Sequence, residues 1–275
     1  MQLKTFITLT VLSVLLILPI GCATHSTRPY IGDKPGLDLS KVQTLSFNEV
    51  KETIRTERSR LNTLKAKADI VITSPGINGE FRCKGVVRFQ KPGKLRVIGS
   101  KLARTAFDIL SDGEDFWFYL PNEKVVYTGK CDSAKKIDSS VYISPDDIAA
   151  LIGYEKLFEG RSAYMETLPV FWLVHVLDRK GDAVVPYSKL KVNRIDNSIT
   201  ELTMFKPDSS IKAQASFHDY VETDGQSTPD IIQIYWPGTD TSLTLDLNNI
   251  VINEPLKPEI FQFKKTRKAD IIKVN

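Results

Sequence analysis

Residues 79–100, GEFRCKGVVRFQKPGKLRVIGS, carry the clearest secondary-structure signal in this chain of 275 residues. Apolar and mostly polar side chains alternate from Phe81 to Gln90, which is the pattern of a strand with one buried face. Lys91-Pro92-Gly93-Lys94 has the composition of a turn, and the alternation resumes over Leu95–Gly99. The stretch therefore predicts an antiparallel hairpin with one apolar and one wet face.

Further strands are predicted on the C-terminal side of this hairpin. Short turns such as Asp112-Gly113 and Pro121-Asn122 separate the apolar segments. The predicted strands cover residues 106–111, 115–120, 125–128, 169–177, 189–195, 200–205, 211–220, 231–236 and 242–247. A sheet of roughly ten or eleven antiparallel strands must curl, because twisted open sheets rarely stay flat at that size.

Two helices are predicted beside these strands. Ser46 and Glu49 form a capping box, and apolar residues follow at helical spacing. Ser144 as N-cap and Pro145 at the first helical position predict a second, short helix that ends near Gly153. The expected fold class is mainly β (α+β). It is a curved antiparallel sheet that forms an incomplete β-barrel, covered by the N-terminal helix and short lid helices.

Residues 1–21 have the parts of a secretory signal peptide, namely the charged Lys4, an apolar run and the small Gly21. The segment LPIGC at 18–22 resembles a bacterial lipobox, which implies that Cys22 carries a diacylglycerol thioether and acyl chains such as palmitate. Ala23 then favours export to the outer membrane. We expect the chain on the periplasmic face of that membrane in a bacterial cell envelope, held by its N-terminal lipid anchor. A signal cut elsewhere or an uncleaved anchor is the alternative.

The composition divides the rest of the chain into three parts. Residues 22–41 form the acylated cysteine and a polar tether without periodicity. Residues 42–265 form the half-barrel domain, and residues 266–275 form a basic C-terminal tail. The basic run from Lys264 to Lys268 could contact an anionic membrane surface or stay solvated. The net charge of +4 comes with no stripe of basic and aromatic residues, so no nucleic-acid partner is expected.

The mature chain keeps two cysteines, Cys83 and Cys131. In an oxidising periplasm they could form a disulfide, which would close a loop of about 50 residues. Cys83 also lies on the apolar face of a predicted strand, where a free thiol behaves as a small hydrophobe. Both states remain open from the sequence.

The residues that usually carry chemistry do not cluster in the sequence. His25, His175 and His218 lie far apart, and the cysteines have no metal-ligand spacing, so no metal site is predicted. The chain has neither a Gly-x-Ser-x-Gly motif nor a glycine-rich phosphate loop. Asp146 and Asp147 stand at a helix start, where carboxylates are expected for dipole reasons. We expect no enzyme and no cofactor.

Three segments resemble a known family. They are residues 79–100, residues 106–130 (AFDILSDGEDFWFYLPNEKVVYTGK) and residues 231–263, which end in NEPLKPEIFQF. Their order is similar to the LolA/LolB superfamily of periplasmic carriers and outer-membrane acceptors of lipoproteins. The resemblance implies an incomplete antiparallel barrel, a helical lid and an apolar cavity for acyl chains. The lipid anchor at Cys22 favours the LolB-like branch, since LolA-type carriers are soluble.

The apolar face of the predicted hairpins supplies the candidate ligand site. The cavity-lining candidates are Phe81, Val87, Phe89, Leu95, Val97, Phe107, Ile109, Phe116 and Phe118. Each of them could equally be an ordinary core residue under a packed helix. LolB-like acceptors carry a protruding apolar residue in the loop after the second hairpin strand, and Leu102 matches that position. Lys101 and Ala103 stand where Pro and Gly are common.

The sequence thus predicts an outer-membrane lipoprotein that binds acyl chains of lipoproteins or lipids and acts in lipoprotein acceptance. Its partners would be acylated lipoproteins or phospholipids, a soluble periplasmic carrier, and the membrane through the anchor, with the chain itself a monomer. The first alternative is an envelope lipoprotein that uses the same fold to bind a protein partner or to sense envelope stress. A second alternative is a hydrolase on an open β scaffold.

Overall fold

Fourteen β-strands form one sheet in the part of the chain that a computed structural model describes, which is residues 38–131, 143–154, 157–264 and 269–274. The strands are β1 (Thr63–Thr73), β2 (Glu80–Gln90), β3 (Lys94–Lys101), β4 (Arg104–Ser111), β5 (Asp115–Leu120), β6 (Val125–Lys130), β7 (Ser162–Thr167), β8 (Phe171–Lys180), β9 (Ala183–Asn193), β10 (Ile199–Phe205), β11 (Ile211–Thr223), β12 (Gln226–Trp236), β13 (Thr241–Ile252) and β14 (Asp270–Lys273). Their spatial order is β14-β6-β5-β4-β3-β2-β1-β13-β12-β11-β10-β9-β8-β7. The two outermost strands do not pair, so the curved sheet stays open.

The predicted hairpin at residues 79–100 is confirmed as β2 and β3. Val87 lies opposite Val97, and Phe89 lies opposite Leu95. These four side chains are at most 1 % exposed, whereas their polar neighbours point to the other face. The period-two pattern therefore sets both the register of the hairpin and the face that it buries.

Two α-helices lie against the buried face. The helix α1 (Phe47–Ser59) begins at the predicted capping box, in which the Ser46 backbone N–H donates to the Glu49 carboxylate at 2.7 Å. The helix α2 (Pro145–Gly153) begins at Ser144, whose hydroxyl accepts from the Asp147 backbone N–H. Apolar residues of both helices join those of the strands in one continuous core. The expected incomplete barrel covered by helices is confirmed.

Our prediction of a basic C-terminal tail over residues 266–275 does not hold for the last part of that segment. Asp270–Lys273 form β14, which pairs parallel with β6, and Val274 is buried. Gly129 permits this close approach, because a Cβ at that position would collide with the carbonyl oxygen of Val274. Two short 3₁₀ turns, Leu39–Lys41 and Pro258–Phe261, flank the sheet in sequence.

One compact unit, Leu39–Asn275, contains all of these elements. It has its own core, so we expect this unit to fold by itself. None of the helices in the described ranges has the length and apolar character needed to cross a membrane. The predicted signal peptide, Cys22 and most of the tether lie outside the described residues.

Candidate functional site

The nine cavity-lining candidates all lie on strands β2 to β5, on the face that carries the core. Eight of them are at most 5 % exposed, namely Val87, Phe89, Leu95, Val97, Phe107, Ile109, Phe116 and Phe118. Phe81 is half-buried at the start of β2, where its ring lies 6.4 Å from that of Phe107. The sequence therefore identified one continuous apolar surface, and the role of this surface in ligand binding stays a prediction.

Helix α2 lies directly on this apolar surface. A Cβ at Gly153 would come within 2.8 Å of the Phe89 ring, so glycine lets the helix approach β2 closely. At the same end of α2, the Arg58 guanidinium of α1 lies 4.1 Å from the centre of the Tyr154 ring and donates to the Ile152 carbonyl. The C-terminal end of α2 is thereby held by both the sheet and α1.

A buried carboxylate holds the other end of α2. Asp147 is 1 % exposed, and its Oδ2 accepts a hydrogen bond of 2.9 Å from the indole N–H of Trp236 on β12. The Lys212 ammonium lies 2.5 Å from Oδ1. Lys212 occupies a register shift of β11, because Met204 pairs with Ala213 and Phe205 pairs with Ile211. Such a bulge redirects a side chain, and here the side chain reaches the helix.

The neighbouring Asp146 contacts the opposite half of the sheet. Its carboxylate lies 3.5 Å from the hydroxyl of Ser111 at the end of β4, and that hydroxyl lies 3.3 Å from the Cys131 sulfur. The N-terminal turn of α2 therefore connects β4 with β11 and β12 across the open sheet. Sequence reasoning assigned both carboxylates to the helix dipole and missed these contacts, since Trp236 and Lys212 are remote in sequence.

The option of a disulfide between Cys83 and Cys131 is not realised, because both cysteines are free thiols. Cys83 is buried on β2 against Gly99 and the ring of Phe107, whereas Cys131 follows β6 beside Ser111. Three strands separate β2 from β6 in the sheet order. Burial raises the pKa of Cys83 to about 11 and that of Cys131 to about 12, so both thiols stay protonated at neutral pH.

The position of Asp146 predicts a pH dependence of stability. Burial raises the pKa of Asp146 to about 6, so the folded state binds a proton more tightly than the unfolded state does. Stability contributed by this group is present below about pH 4 and is lost as the pH rises toward 6. We expect Asp146→Asn to gain up to about 3 kcal/mol of unfolding free energy over wild type between pH 4 and pH 7.

Urea unfolding at pH 4, 5, 6 and 7 measures this difference. Glu123→Gln changes an exposed carboxylate in the β5–β6 turn and serves as the control. Its unfolding free energy should differ from that of wild type by the same amount at every pH. If the unfolding free energies of Asp146→Asn and wild type also differed by the same amount at every pH, the Asp146 carboxyl would be solvated in the folded protein.

Leu102 lies at the tip of the β3–β4 hairpin and is 92 % exposed. The two loop residues, Leu102 and Ala103, have φ angles of 51° and 60°. A two-residue loop with two positive φ angles normally carries Asn-Gly or similar residues. Leucine at this place is unfavourable for the backbone and leaves a large apolar side chain in water, so folding alone does not account for it.

The half-buried Phe81 lies at the same end of the sheet as Leu102. Strands β2 and β3 are antiparallel, so the start of β2 is next to the end of β3. The Lys101 ammonium lies 5.1 Å from the centre of the Phe81 ring, which joins the hairpin tip to the edge of the apolar surface. An exposed leucine, a cation and an aromatic edge thus occur together at one end of the molecule.

Solved structures of three bacterial proteins share this architecture. A LolA superfamily protein from Nitrosomonas europaea superposes with a TM-score of 0.54 at 14 % identity, over 80 % of this chain and 99 % of that one. A putative outer membrane lipoprotein-sorting protein domain from Vibrio parahaemolyticus gives 0.55 at 10 % identity, over 78 % and 94 % of the two chains. A DUF1329 family protein from Desulfovibrio piger gives 0.52 at 15 % identity, over 80 % and 98 %.

The chain has a LolA-like fold. The resemblance inferred from the three sequence segments is therefore confirmed at the level of the fold. No protein-family profile matches this sequence, and no curated protein matches it either.

The histidines of this LolA-like fold have local partners. Nε2 of His175 lies 3.3 Å from the Glu166 carboxylate, and its ring stacks on Tyr164 at 4.5 Å. Nε2 of His218 lies 3.1 Å from the Ser216 hydroxyl. Within the described ranges, no group of three or more His, Cys, Asp or Glu side chains could hold a metal ion. His25 lies outside those ranges.

Proposed function

We propose that this chain is an outer-membrane lipoprotein that binds acyl chains of lipoproteins or phospholipids without catalysing a reaction, and that it acts in lipoprotein acceptance. The observation that carries the proposal is Leu102, which is 92 % exposed at the tip of a hairpin in a LolA-like fold. The lipobox-like segment that ends at Cys22 supports the membrane anchor and, with it, the LolB-like branch.

The sequence around Leu102 suits contact with a membrane surface. Lys101 and Arg104 flank the two loop residues, so an apolar tip lies between two cations. Such a tip gains free energy when the leucine enters the acyl region and the cations stay near anionic head groups. Burial of one leucine is worth about 1.5–3 kcal/mol, which corresponds to a factor of about ten to a hundred in an equilibrium constant.

The apolar surface under α2 provides the acyl-binding region of the proposal. Removing an acyl chain from water contributes roughly 25 cal/mol per Å² of apolar surface, and this needs no catalytic group. Because eight of the nine candidates are already buried, an acyl chain enters only when the helix moves away from the strands. Phe81 marks the entrance in this proposal, since it is half-exposed and lies beside the Leu102 hairpin.

Native mass spectrometry of residues 23–275, purified from a bacterial periplasm, tests ligand binding. We expect a co-purifying mass equal to that of a phospholipid or an acylated peptide. In the cell, a soluble carrier would deliver this ligand to the protein. A clean apo mass that also takes up no added lipid would contradict the acyl-binding proposal.

Leu102→Asp tests the transfer step. We expect at least a tenfold slower transfer of a fluorescent acylated peptide from the loaded protein to liposomes, because an aspartate cannot enter the acyl region. Loading of the protein and anchoring through Cys22 should not change, since Leu102 is 92 % exposed and lies outside the core.

Val184→Asp is the matched control for this variant. Val184 is 57 % exposed beside the β8–β9 turn, so the change also places a carboxylate on an exposed apolar residue in a hairpin. Transfer by Val184→Asp should equal that of wild type. Equal transfer by Leu102→Asp and wild type would remove the hairpin tip from the mechanism.

The continuous core favours a second candidate function, which is binding of a protein partner by an envelope lipoprotein with this fold. Eight cavity candidates are packed into one apolar cluster with the helices, as in a domain that binds no lipid. In that case the same mass spectrum shows no lipid, and crosslinking through a photoreactive residue at position 102 in cells yields a protein adduct.

A further inference from the structure

A row of cations crosses the outer face of the sheet, opposite the apolar surface. Lys65 on β1 lies directly opposite Arg88 on β2, and Arg88 lies directly opposite Arg96 on β3. Like charges in directly opposed positions destabilise a sheet. The row therefore contributes an unfavourable charge repulsion at this place.

Only one member of the row has an acidic partner among the described residues. Arg96 forms a two-pronged ion pair with Asp108, with N–O distances of 3.0 and 2.7 Å, and its third donor reaches the Ile260 carbonyl at 2.7 Å. Arg88 is half-buried and forms no ion pair with any residue in the described part of the chain. Burial first, and then the charge of Arg96, lower the pKa of Arg88, while the nearby Asp108 carboxylate opposes this shift.

The segment around the second 3₁₀ turn borders Arg88 and Arg96, and together they line a shallow pocket of about 360 Å³ that is wide open to solvent. Its lining includes Arg88, Arg96, Lys257, Lys264 and the single acid Glu259. With Asp108 counted beside Arg96, four positive charges meet two negative charges. Counted over the described residues, the lining and Asp108 therefore carry a surplus of two positive charges.

We propose that this outer pocket binds a phosphate group, held by the Arg88 guanidinium and the two lysines. A guanidinium presents its donors in a fork that matches two phosphate oxygens, while lysine ammonium groups neutralise the remaining charge. A bound phosphate dianion would cancel the surplus charge, a phosphodiester monoanion would cancel half of it, and either would relieve the repulsion along the row. The phosphate can belong to a free ion or to a phospholipid head group, and this site is separate from the acyl-binding surface.

Thermal unfolding of residues 23–275 in increasing inorganic phosphate, at constant ionic strength kept with sodium chloride, tests the proposal. We expect a saturable rise in Tm for wild type, and an apparent Kd at least tenfold weaker for Arg88→Gln. Without phosphate, Arg88→Gln should be at least as stable as wild type, because it removes a like-charge contact. Lys257→Gln, an exposed change outside the sheet, should also weaken the phosphate response.

Arg82→Gln is the matched control, since Arg82 lies on the same face of the same strand, outside the pocket, and pairs with Glu80. It should keep the wild-type phosphate response, and so should Leu102→Asp, which separates this site from the proposed function. No saturable response in wild type, or an equal response in Arg88→Gln, would overturn the proposal.

Sedimentation with phosphatidylglycerol or phosphatidylcholine vesicles distinguishes the two sources of phosphate. The source is a lipid head group if wild type binds the vesicles, inorganic phosphate competes with this binding, and Arg88→Gln abolishes it. A phosphate response without vesicle binding identifies a soluble phosphate compound. Vesicle binding that Arg88→Gln leaves intact, together with no phosphate response, counts against the pocket.

Discussion

Asp147→Ala should lower the free energy of unfolding by about 2–4 kcal/mol, because it leaves a buried N–H without an acceptor and breaks an ion pair whose lysine is partly exposed. Asp147 is 1 % exposed, and its carboxylate joins the Trp236 indole to the Lys212 ammonium. The alanine variant leaves the buried indole N–H of Trp236 without an acceptor and removes one carboxylate partner of the Lys212 ammonium. It also removes a negative charge from the positive end of the α2 dipole.

Chemical denaturation measures this loss, and two further variants make it specific. Asp246→Ala removes an exposed carboxylate on β13 and should change the unfolding free energy by less than about 0.5 kcal/mol. Adding Lys212→Met to Asp147→Ala should recover part of the loss, because an apolar side chain then replaces a partly buried ammonium that has lost its Asp147 partner. A loss below about 1 kcal/mol for Asp147→Ala would mean that the carboxylate is not buried in solution.

Hydrogen exchange shows where the Asp147 variant opens. Asp146 contacts Ser111 of β4, and Asp147 contacts Lys212 and Trp236 of β11 and β12, so the N-terminus of α2 is fixed between these strands. Loss of the Asp147 contacts should raise exchange at α2 amides more than at β1 and β2 amides. Movement of α2 is also the step that admits an acyl chain in the proposed function, so this variant should load lipid faster.

The sequence was sufficient for features that depend on local periodicity. The alternation around Phe89 and Leu95 specified a hairpin and its buried face, and Ser46 and Ser144 marked the starts of the two helices. Each signal lies within about ten residues of the element that it predicts. These features could be predicted because the apolar face, the turn and the cap all favour the same structure.

Features that depend on strand register could not be predicted. The redirection of Lys212 requires a register shift between β10 and β11, and the cation row requires knowledge that Arg88 lies opposite both Lys65 and Arg96. Strand β14 was missed because its four residues are exposed and follow a basic run, so no alternation distinguishes them from a tail. Its position depends on contact with β6, which is remote in sequence.

The distinction between cavity and core was equally inaccessible from the sequence. Alternation shows which face a side chain occupies, and both a ligand cavity and a packed core require apolar residues on that face. Leu102 differs from the nine cavity candidates in this respect, because its exposure and positive φ oppose the preferences of leucine. Features that oppose local preference are more often functional than features that follow it.

Phe89→Ala should lower the free energy of unfolding by about 3–5 kcal/mol, as expected for a phenylalanine removed from a packed core. Phe89 is 1 % exposed, lies opposite Leu95 and meets Gly153 of α2. Phe81→Ala is the matched control, since Phe81 lies on the same face of the same strand but is half-buried, and it should lose less than half as much. Equal losses would mean that β2 is uniformly packed along its length.

The same pair of variants separates packing from ligand binding. A packed Phe89 makes lipid handling by its variants hard to interpret, because any change that places a charge there also unfolds the core. Phe81→Ala should instead slow lipid loading while leaving most of the stability intact, since it alters the entrance and not the interior. If Phe89→Ala cost less than about 1 kcal/mol and loading were faster, the space under α2 would be an open cavity, and the acyl chain would need no helix movement to enter.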